Sequence, residues 1–117
     1  MGSTLVTTPF LDRHNDYIQI YVRAEKGGFL LTNDAHAITD LEMSGLTLDP
    51  PTRRKMLRTA LNRFGVHLED RAIQVHATAD NFGLRKHNLI QAILAMNDLF
   101  FPPRKITSHE FPALSKL

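Results

Sequence analysis

Two aspartates and a histidine alternate near the N-terminus, in the pattern Asp12-x-His14-x-Asp16. Carboxylate oxygens and an imidazole nitrogen are ligands for Mg²⁺ or Mn²⁺, and such an ion supports phosphodiester cleavage. Other carboxylates that folding could bring close stand at Asp34, Asp40 and Glu42. One hypothesis is therefore a metal-dependent nuclease, with a ligand set made of Asp12, His14, Asp16 and Asp34.

The same residues also have a purely structural interpretation. Asp and Asn side chains accept hydrogen bonds from nearby backbone N–H groups, so Asp12, Asn15 and Asp16 would stabilise a turn before the first strand. His14 would then hydrogen-bond a backbone carbonyl. No lysine follows Gln19 or Asp40 at the spacing that restriction-type nucleases use. We favour the structural interpretation and predict no metal and no cofactor.

A second cluster is basic and lies in a segment whose pattern predicts a helix. Its members are Arg53, Arg54, Lys55 and Arg58. They occupy the face opposite the apolar stripe, and three of them crowd the first turn, where the helix dipole disfavours cations. A bound phosphate or partner carboxylate would offset that repulsion. Two interpretations stay open: a binding surface for nucleic acid or an acidic partner, and a merely solvated helix face.

A third candidate surface follows from alternation along the first predicted strand. Tyr17, Tyr21 and Arg23 project from one face of it. If the helices cover the other side of the sheet, this face also shows Gln19, His67, Gln74 and His76. Aromatic, amide and cationic groups on a flat sheet suit stacking of bases or docking of a protein. Cross-strand packing of the tyrosines is the structural alternative.

Composition limits the class of protein. A chain of 117 residues that is 43% apolar suffices for one domain with its own core. It has no cysteine, which excludes disulfides, thiolate metal sites and thiol nucleophiles. No apolar run is long enough to span a membrane and no export signal is present, so we expect a cytoplasmic protein. A net charge of +2 does not by itself indicate nucleic-acid binding, and the case for an enzyme is weak.

The hydrophobic pattern predicts the order β-β-(α)-α-β-β-α. This is an α+β fold, a four-stranded antiparallel sheet with two main helices packed on one face. Residues 1–9 carry little pattern and receive no element. The predicted elements are a hairpin of strands 17–23 and 29–32, a short helical turn within 35–44, a helix at 53–64, a hairpin of strands 66–68 and 72–77, and a helix at 82–101.

Local residues mark the ends of the predicted helices. Thr39 and Glu42 have the spacing of a capping box, and Gly45 is placed to end that turn. Thr52 is the predicted N-cap of the next helix, and Gly65 its C-terminal stop. For the last helix, the predicted N-cap is Asp80 or Asn81.

The helix predicted at 82–101 is apolar over more than half of its circumference, which exceeds what one sheet face covers. The surplus must contact the helix at 53–64, the apolar residues of the tail, or another chain. The tail residues concerned are Ile106, Phe111 and Leu114. A homodimer through helix 82–101 is therefore one expectation.

Several strings of the chain resemble the bacterial and phage family called domain of unknown function 1828. They are TPFLDRHNDYI (8–18), LTND (31–34), ITDLEMSG (38–45), NRFGV (62–66), and NF (81–82) with KHNLIQA (86–92). The resemblance implies one domain over 1–101, followed by a C-terminal tail at 102–117. It also implies small proteins or N-terminal domains carried by bacteria, prophages and other mobile elements. It implies no particular activity.

Three hypotheses about function follow. The leading one is a non-enzymatic protein-binding module of a phage or mobile element that occupies a host protein; the resemblance suggests an inhibitor of a bacterial defence system, such as an anti-CRISPR protein. The alternative is a nucleic-acid-binding module that uses the basic helix face, with Tyr17 and Tyr21. The third is the metal-dependent nuclease.

Overall fold

The computed structural model describes residues 3–101. Within them, five strands and three helices follow one another along the chain. They are β1 (Thr4–Leu11), β2 (Tyr17–Glu25), β3 (Gly28–Asp34), α1 (His36–Met43), α2 (Pro51–Asn62), β4 (His67–Glu69), β5 (Ala72–Ala77) and α3 (Phe82–Phe100). The α+β class and the antiparallel sheet are confirmed. The described sheet has five strands rather than four, and three helices accompany it rather than two main ones.

Both predicted hairpins form, and a central pairing joins them. The strand order is β1-β2-β3-β5-β4, and every neighbouring pair is antiparallel. Tyr21 stands opposite Thr32 across β2 and β3, and Leu31 stands opposite Val75 across β3 and β5. The prediction of these four strands is therefore confirmed, three from alternation of side-chain type and the strand at 29–32 from the glycine turn that precedes it.

The edge strand β1 is the element that the sequence pattern did not reveal. It pairs with β2 from Thr4 opposite Val22, and its register shifts between Thr7 and Leu11. Only Thr8 is buried among its residues, so no apolar alternation marks it. A strand held mainly by backbone hydrogen bonds to one neighbour leaves little trace in the hydrophobic pattern.

The three helices pack on one face of the sheet. Alternate strand side chains and one stripe of each helix form a single buried cluster. Removing such apolar surface from water stabilises the fold by about 25 cal/mol per Å². The strands contribute Ile18, Ile20, Leu31, Ile73 and Val75, and the helices contribute Ile38, Leu41, Leu57, Leu61, Leu89, Ile93 and Met96. The opposite face, which carries Tyr21 and Arg23, points away from this cluster.

Helix α2 begins two residues earlier than the predicted helix at 53–64. Its N-cap is Pro50, in extended conformation, and Pro51 is the first helical residue. Proline is favoured there because its missing N–H and fixed φ cost nothing at the first position. Thr52 therefore lies inside the first turn, and its prediction as the N-cap was wrong.

Glycines end α1 and α2 as predicted. Gly45 and Gly65 have φ of +88° and +69°, a left-handed conformation that glycine adopts without strain. In each case the residue after the glycine donates its N–H back across the last turn, as in a Schellman motif. The bonds are Leu46 N to Leu41 O at 3.0 Å and Val66 N to Leu61 O at 3.2 Å.

The first helix, predicted only as a turn within 35–44, spans His36–Met43. Its start is held by Asn33, which is buried at the end of β3. The Asn33 Oδ1 accepts the Ala37 N–H at 3.0 Å, and its Nδ2 donates to the Gln19 carbonyl at 3.0 Å. One buried amide thus joins the start of α1 to β2.

Thr39 and Glu42 do not form the predicted capping box. Both lie inside α1 and accept hydrogen bonds from the guanidinium of Arg71 in the β4–β5 turn. The distances are 3.2 Å to the Thr39 hydroxyl and 2.5 and 2.8 Å to the two Glu42 oxygens. Thr39 and Glu42 therefore make a long-range contact with Arg71, and the prediction that they form a capping box was wrong.

Helix α3 spans Phe82–Phe100, close to the prediction, with Asn81 at the N-cap position. The Asn81 side chain accepts the Thr78 N–H at 2.7 Å instead of a helix N–H. The wide apolar arc of α3 is buried largely against the sheet and α2. Its exposed large apolar side chains are Leu84 and Leu99. The tail residues considered as a further cover lie outside the described residues.

Within residues 3–101, every helix falls short of the length and apolarity that a membrane crossing requires.

Candidate binding cleft and neighbouring surfaces

The turn between β1 and β2 is organised by Asp12. Its Oδ1 accepts the backbone N–H of His14 at 2.8 Å and that of Asp16 at 3.1 Å. Its own N–H donates to the Asp16 carbonyl at 2.8 Å, and Asn15 takes a left-handed φ of +63°. Asp12 therefore has the turn-stabilising role that we favoured, and one of its carboxylate oxygens is occupied by the backbone.

This turn is tied to α1 through Asp40. The Asp40 Oδ2 accepts from Arg13 Nε at 2.9 Å, and its Oδ1 bonds His14 Nε2 at 2.7 Å. Arg13 also donates to the Ser44 hydroxyl, and its guanidinium lies 3.7 Å from the centre of the Phe101 ring. The expected bond from His14 to a backbone carbonyl is thus replaced by a bond to a carboxylate.

A cleft of about 540 Å³ opens between this turn, the start of α1 and the C-terminal half of α3. Its volume lies within the range of small-molecule sites. Carboxylates, imidazoles and Tyr17 stand around it, and apolar side chains of β2 and α3 complete its lining. The polar members are Thr7, Asp12, His14, Asp16, Tyr17, Gln19, Asn33, His36, Asp40 and Asn97, and the apolar members are Ile18, Ala37 and Ile93.

Asn97 is the unexpected member of this lining. It is only 8% exposed, and its side chain forms no hydrogen bond with any residue in the described range 3–101. The other buried asparagine of the cleft, Asn33, uses both ends of its amide. Among residues 3–101, Arg85 Nε is the one side-chain atom that is both fully buried and unpaired, so the Asn97 amide keeps contact with solvent in the cleft that it lines. It is a hydrogen-bonding group that a ligand in the cleft can reach.

The structure brings together only part of the ligand set predicted for a nuclease. Asp12, His14 and Asp16 do meet at the cleft, but Asp34 does not line it. Asp34 follows β3 with a left-handed φ of +58°, and its N–H bonds the Thr32 hydroxyl at 2.8 Å. Among residues 3–101, no three His, Asp or Glu side chains are grouped to hold a metal ion.

The open face of the sheet carries the predicted tyrosines and arginine. Tyr21 stacks on His36 with ring centres 5.8 Å apart, and its hydroxyl lies 3.2 Å from His36 Nε2. Tyr17 is exposed and also lines the cleft, while Arg23 is exposed beside the buried Leu30. Further along this face, His76 pairs with the Glu25 carboxylate at 2.5 Å.

The predicted basic cluster lies on α2, in the helical layer. Arg53 donates to the Thr47 carbonyl and Arg54 to the Asp49 carbonyl, each at 3.1 Å. No ion pair joins these two residues, Lys55 or Arg58 to a carboxylate within the described part of the chain. Because α2 packs on the face opposite to Tyr17 and Tyr21, the basic cluster and the tyrosines do not form one surface.

The chain thus has the architecture of a small α+β domain, with an antiparallel sheet, helices on one face and a polar cleft at one end. The family model for the domain of unknown function DUF1828 matches residues 8–96, and the chain belongs to this family. No curated protein and no solved structure shows significant similarity to it.

Sequence reasoning missed Asn97 in the cleft and two exposed leucines of β1, Leu5 and Leu11, which lie outside the cleft. Asn97 left a signal, because it is a polar residue next to Met96 within the apolar arc of α3. Leu5 and Leu11 left none, because the strand that presents them had no pattern. Asp40, by contrast, was named among carboxylates that folding could bring near Asp12.

Proposed function

We propose that this protein is a non-enzymatic protein-binding module whose partner docks on the open face of the sheet where β1 and β2 meet. Four large apolar side chains are exposed in these strands: Leu5 by 49%, Phe10 by 37%, Leu11 by 45% and Tyr17 by 59%. Leu11 stands opposite Tyr17, and Leu5 opposite Tyr21. Leu5, Leu11, Tyr17 and Arg23 are together called the open-face patch. The joint exposure of Leu5, Leu11 and Tyr17 is the observation that carries the proposal.

The chemistry of the open-face patch defines the partner surface. Removing its apolar area from water on docking would favour association. Tyrosine and arginine are also the residue types that most often dominate binding energy at protein interfaces. Arg23 forms no ion pair within residues 3–101, so its guanidinium is open to a partner carboxylate. The proposed partner surface is therefore apolar at its centre, with an acidic residue opposite Arg23.

The identity of the partner is a further part of the proposal. The family resemblance implies an association with phages and mobile elements. A small domain with an exposed patch and no catalytic motif suits an inhibitor that occupies a host defence protein, as anti-CRISPR proteins do. We therefore propose a bacterial host protein as the partner, with defence complexes as the first candidates, and a cytoplasmic location for the interaction.

The test is a pull-down from bacterial lysate with the tagged full chain, followed by titration of the purified partner. The Leu5→Asp, Leu11→Asp double variant places charges in the open-face patch, and Met43→Asp is the matched control on α1, at a residue 83% exposed. We expect the double variant to lose at least about 100-fold in affinity, as when interface hot spots are removed. Equal affinity of both variants, or the absence of any specific partner, contradicts the proposal.

Nucleic-acid binding by α2 is the second candidate. The observation in its favour is that the basic cluster carries four cations without a carboxylate partner in the described residues, while the first turn holds no acidic residue. Phosphates are ligands that such a surface attracts. Tyr17 and Tyr21 lie on the sheet face opposite to α2 and cannot stack bases bound there. Binding by this candidate would therefore depend on attraction between the cations and the phosphate backbone, with little sequence specificity.

Salt dependence distinguishes this candidate. Binding of a short duplex would weaken steeply with salt, and Arg54→Ala with Arg58→Ala would reduce the slope of log K against log salt by about 2. The matched control removes two exposed cations of the β2–β3 hairpin, away from α2, by Lys26→Ala with Arg23→Ala. If the duplex is not retained at low salt, or if both pairs change binding equally, binding by the basic cluster is excluded.

A further inference from the structure

We propose that the cleft beside the β1–β2 turn binds a small organic cation, an aliphatic amine or guanidine. This inference goes beyond the proposed function and is independent of it. The cleft is lined by other residues than the open-face patch, with only Tyr17 common to both. Its carboxylates, its unused buried amide and its apolar floor together specify the class of ligand.

The charge of the cleft favours a cation. Asp12, Asp16 and Asp40 line it, and only Asp40 has its charge offset by an arginine, Arg13. Asp12 uses one carboxylate oxygen for the backbone, which leaves Oδ2 open. The exposed Asp16 carboxylate accepts no hydrogen bond within residues 3–101. Two carboxylates are therefore available to an ammonium or guanidinium group, which would form charge-assisted hydrogen bonds with them.

Asn97 is an independent sign of a ligand. More than nine-tenths of this residue is buried, it lines the cleft, and its amide is unpaired within the described residues. A ligand group that replaces water at this amide gains a hydrogen bond at a position that little solvent reaches. The amide oxygen accepts from the same N–H donors that the carboxylates attract.

The apolar part of the lining fits an aliphatic chain. Ile18 and Ile93 contribute methylene and methyl surface, and the ring of Tyr17 offers a π face to a cation. An anion would have to approach the open carboxylates of Asp12 and Asp16, which repel it. His14 and His36 also line the cleft, and each already has a partner, Asp40 and Tyr21 respectively. The combination of open carboxylates and an apolar floor thus selects a cation with a hydrocarbon chain.

The test follows the full-length ¹⁵N-labelled protein by NMR during titration with agmatine, which carries an ammonium and a guanidinium. N-acetyl-arginine amide is a second probe, because it represents an arginine side chain of a protein partner. Glutarate is the anionic control. The Asn97 side-chain NH₂ signals report directly on the floor of the cleft. We expect saturable shifts there and at the Asp12–Asp16 turn with agmatine, and none with glutarate.

Two variants distinguish binding in the cleft from general attraction of a cation to negative charges on the protein. Asp16→Asn should weaken agmatine binding about tenfold, since it removes one charge-assisted bond. Asp98→Asn removes the same charge from an exposed position of α3 outside the cleft and should leave binding unchanged. If N-acetyl-arginine amide also binds, the cation that the cleft recognises is an arginine side chain of a protein partner. If only agmatine binds, the ligand is a free small-molecule amine. No saturable shift at millimolar agmatine, equal shifts with glutarate, or equal effects of the two variants overturns the proposal.

Discussion

Arg71 and Glu42 are 29 residues apart in the chain and form a two-fold hydrogen-bonded ion pair, at 2.5 and 2.8 Å. Arg71 lies in the turn between β4 and β5, and Glu42 lies in the last turn of α1. The pair therefore fastens the short helix that carries Asp40 to the hairpin at the far edge of the sheet. Both side chains are well exposed, so water screens their attraction.

This pair predicts a pH dependence of stability. The hydrogen bonds and charge of Arg71 hold the pKa of Glu42 below its ordinary value of 4.5 in the folded protein. The contribution of the ion pair to the free energy of unfolding is therefore present above the unfolded-state pKa of Glu42. It is lost as the pH falls through the lower folded-state pKa. We expect Glu42→Gln to reduce the free energy of unfolding at pH 7, and we expect this effect to disappear as the pH falls below the folded-state pKa of Glu42. Urea unfolding at several pH values measures this.

The control for this prediction is Glu69→Gln in β4, an exposed glutamate that forms no ion pair with residues 3–101. Its effect on stability should be small, because the substitution breaks no ion pair in the described part of the chain. If Glu42→Gln and Glu69→Gln give parallel curves, the ion pair with Arg71 contributes nothing measurable in solution.

A second prediction compares two glycines. Gly65 ends α2 with φ of +69°, and an added Cβ would lie 3.2 Å from Arg85 Nη1. Gly83 lies in the first turn of α3, where an added Cβ meets nothing within 4 Å. We expect Gly65→Ala to destabilise the fold by about 1–2 kcal/mol, through left-handed strain. Gly83→Ala should stabilise it by about 0.5–1 kcal/mol, because alanine favours helix. Thermal and urea unfolding of both variants check the opposite signs.

A third prediction separates turn stabilisation from metal binding at the Asp12 turn. Asp12→Ala removes two hydrogen bonds to backbone N–H groups and should cost about 1–2 kcal/mol of stability. Asp16→Ala removes a carboxylate that accepts no hydrogen bond within the described chain, and should change stability by less than about 0.5 kcal/mol. Millimolar Mg²⁺ or Mn²⁺ should leave the melting temperature unchanged. A rise in melting temperature that both variants abolish would instead establish a metal site.

The regular elements of this fold were predictable because their side chains report on burial. Ile18, Ile20 and Val22 alternate along β2 since one face of that strand packs on the core. Helix α2 showed its stripe for the same reason, with Leu57 and Leu61 buried. Edge strand β1 was not predictable, because only Thr8 along it is buried and its pairing depends on the backbone of β2.

The site was predictable only in part, for a different reason. Asp12 acts on its own turn, and its type and position sufficed to indicate that role. The bonds of Asp40 to Arg13 and His14 join residues 26 or 27 positions apart, which no local pattern encodes. The same holds for Arg71 and Glu42. Such contacts depend on how α1 lies over the end of the sheet.

The last prediction concerns the two buried asparagines, which are 7% and 8% exposed at positions 33 and 97. Asn33→Leu removes both hydrogen bonds of a paired amide and leaves the Gln19 carbonyl and Ala37 N–H without it, so we expect a loss of about 2–4 kcal/mol. Asn97→Leu removes an amide that has no partner in the described residues and lines the open cleft, so we expect it to change stability by less than about 0.5 kcal/mol. Urea unfolding of both variants measures the contrast.

The same Asn97→Leu variant should bind agmatine more weakly than the wild type, because the buried amide that meets the ligand is gone. Nearly unchanged stability with weaker binding is the signature of a polar group that serves a ligand rather than the fold. If Asn97→Leu instead destabilises the protein as much as Asn33→Leu does, the Asn97 amide is already paired in the folded chain. The cleft then loses the group that distinguishes it from an ordinary cluster of surface carboxylates.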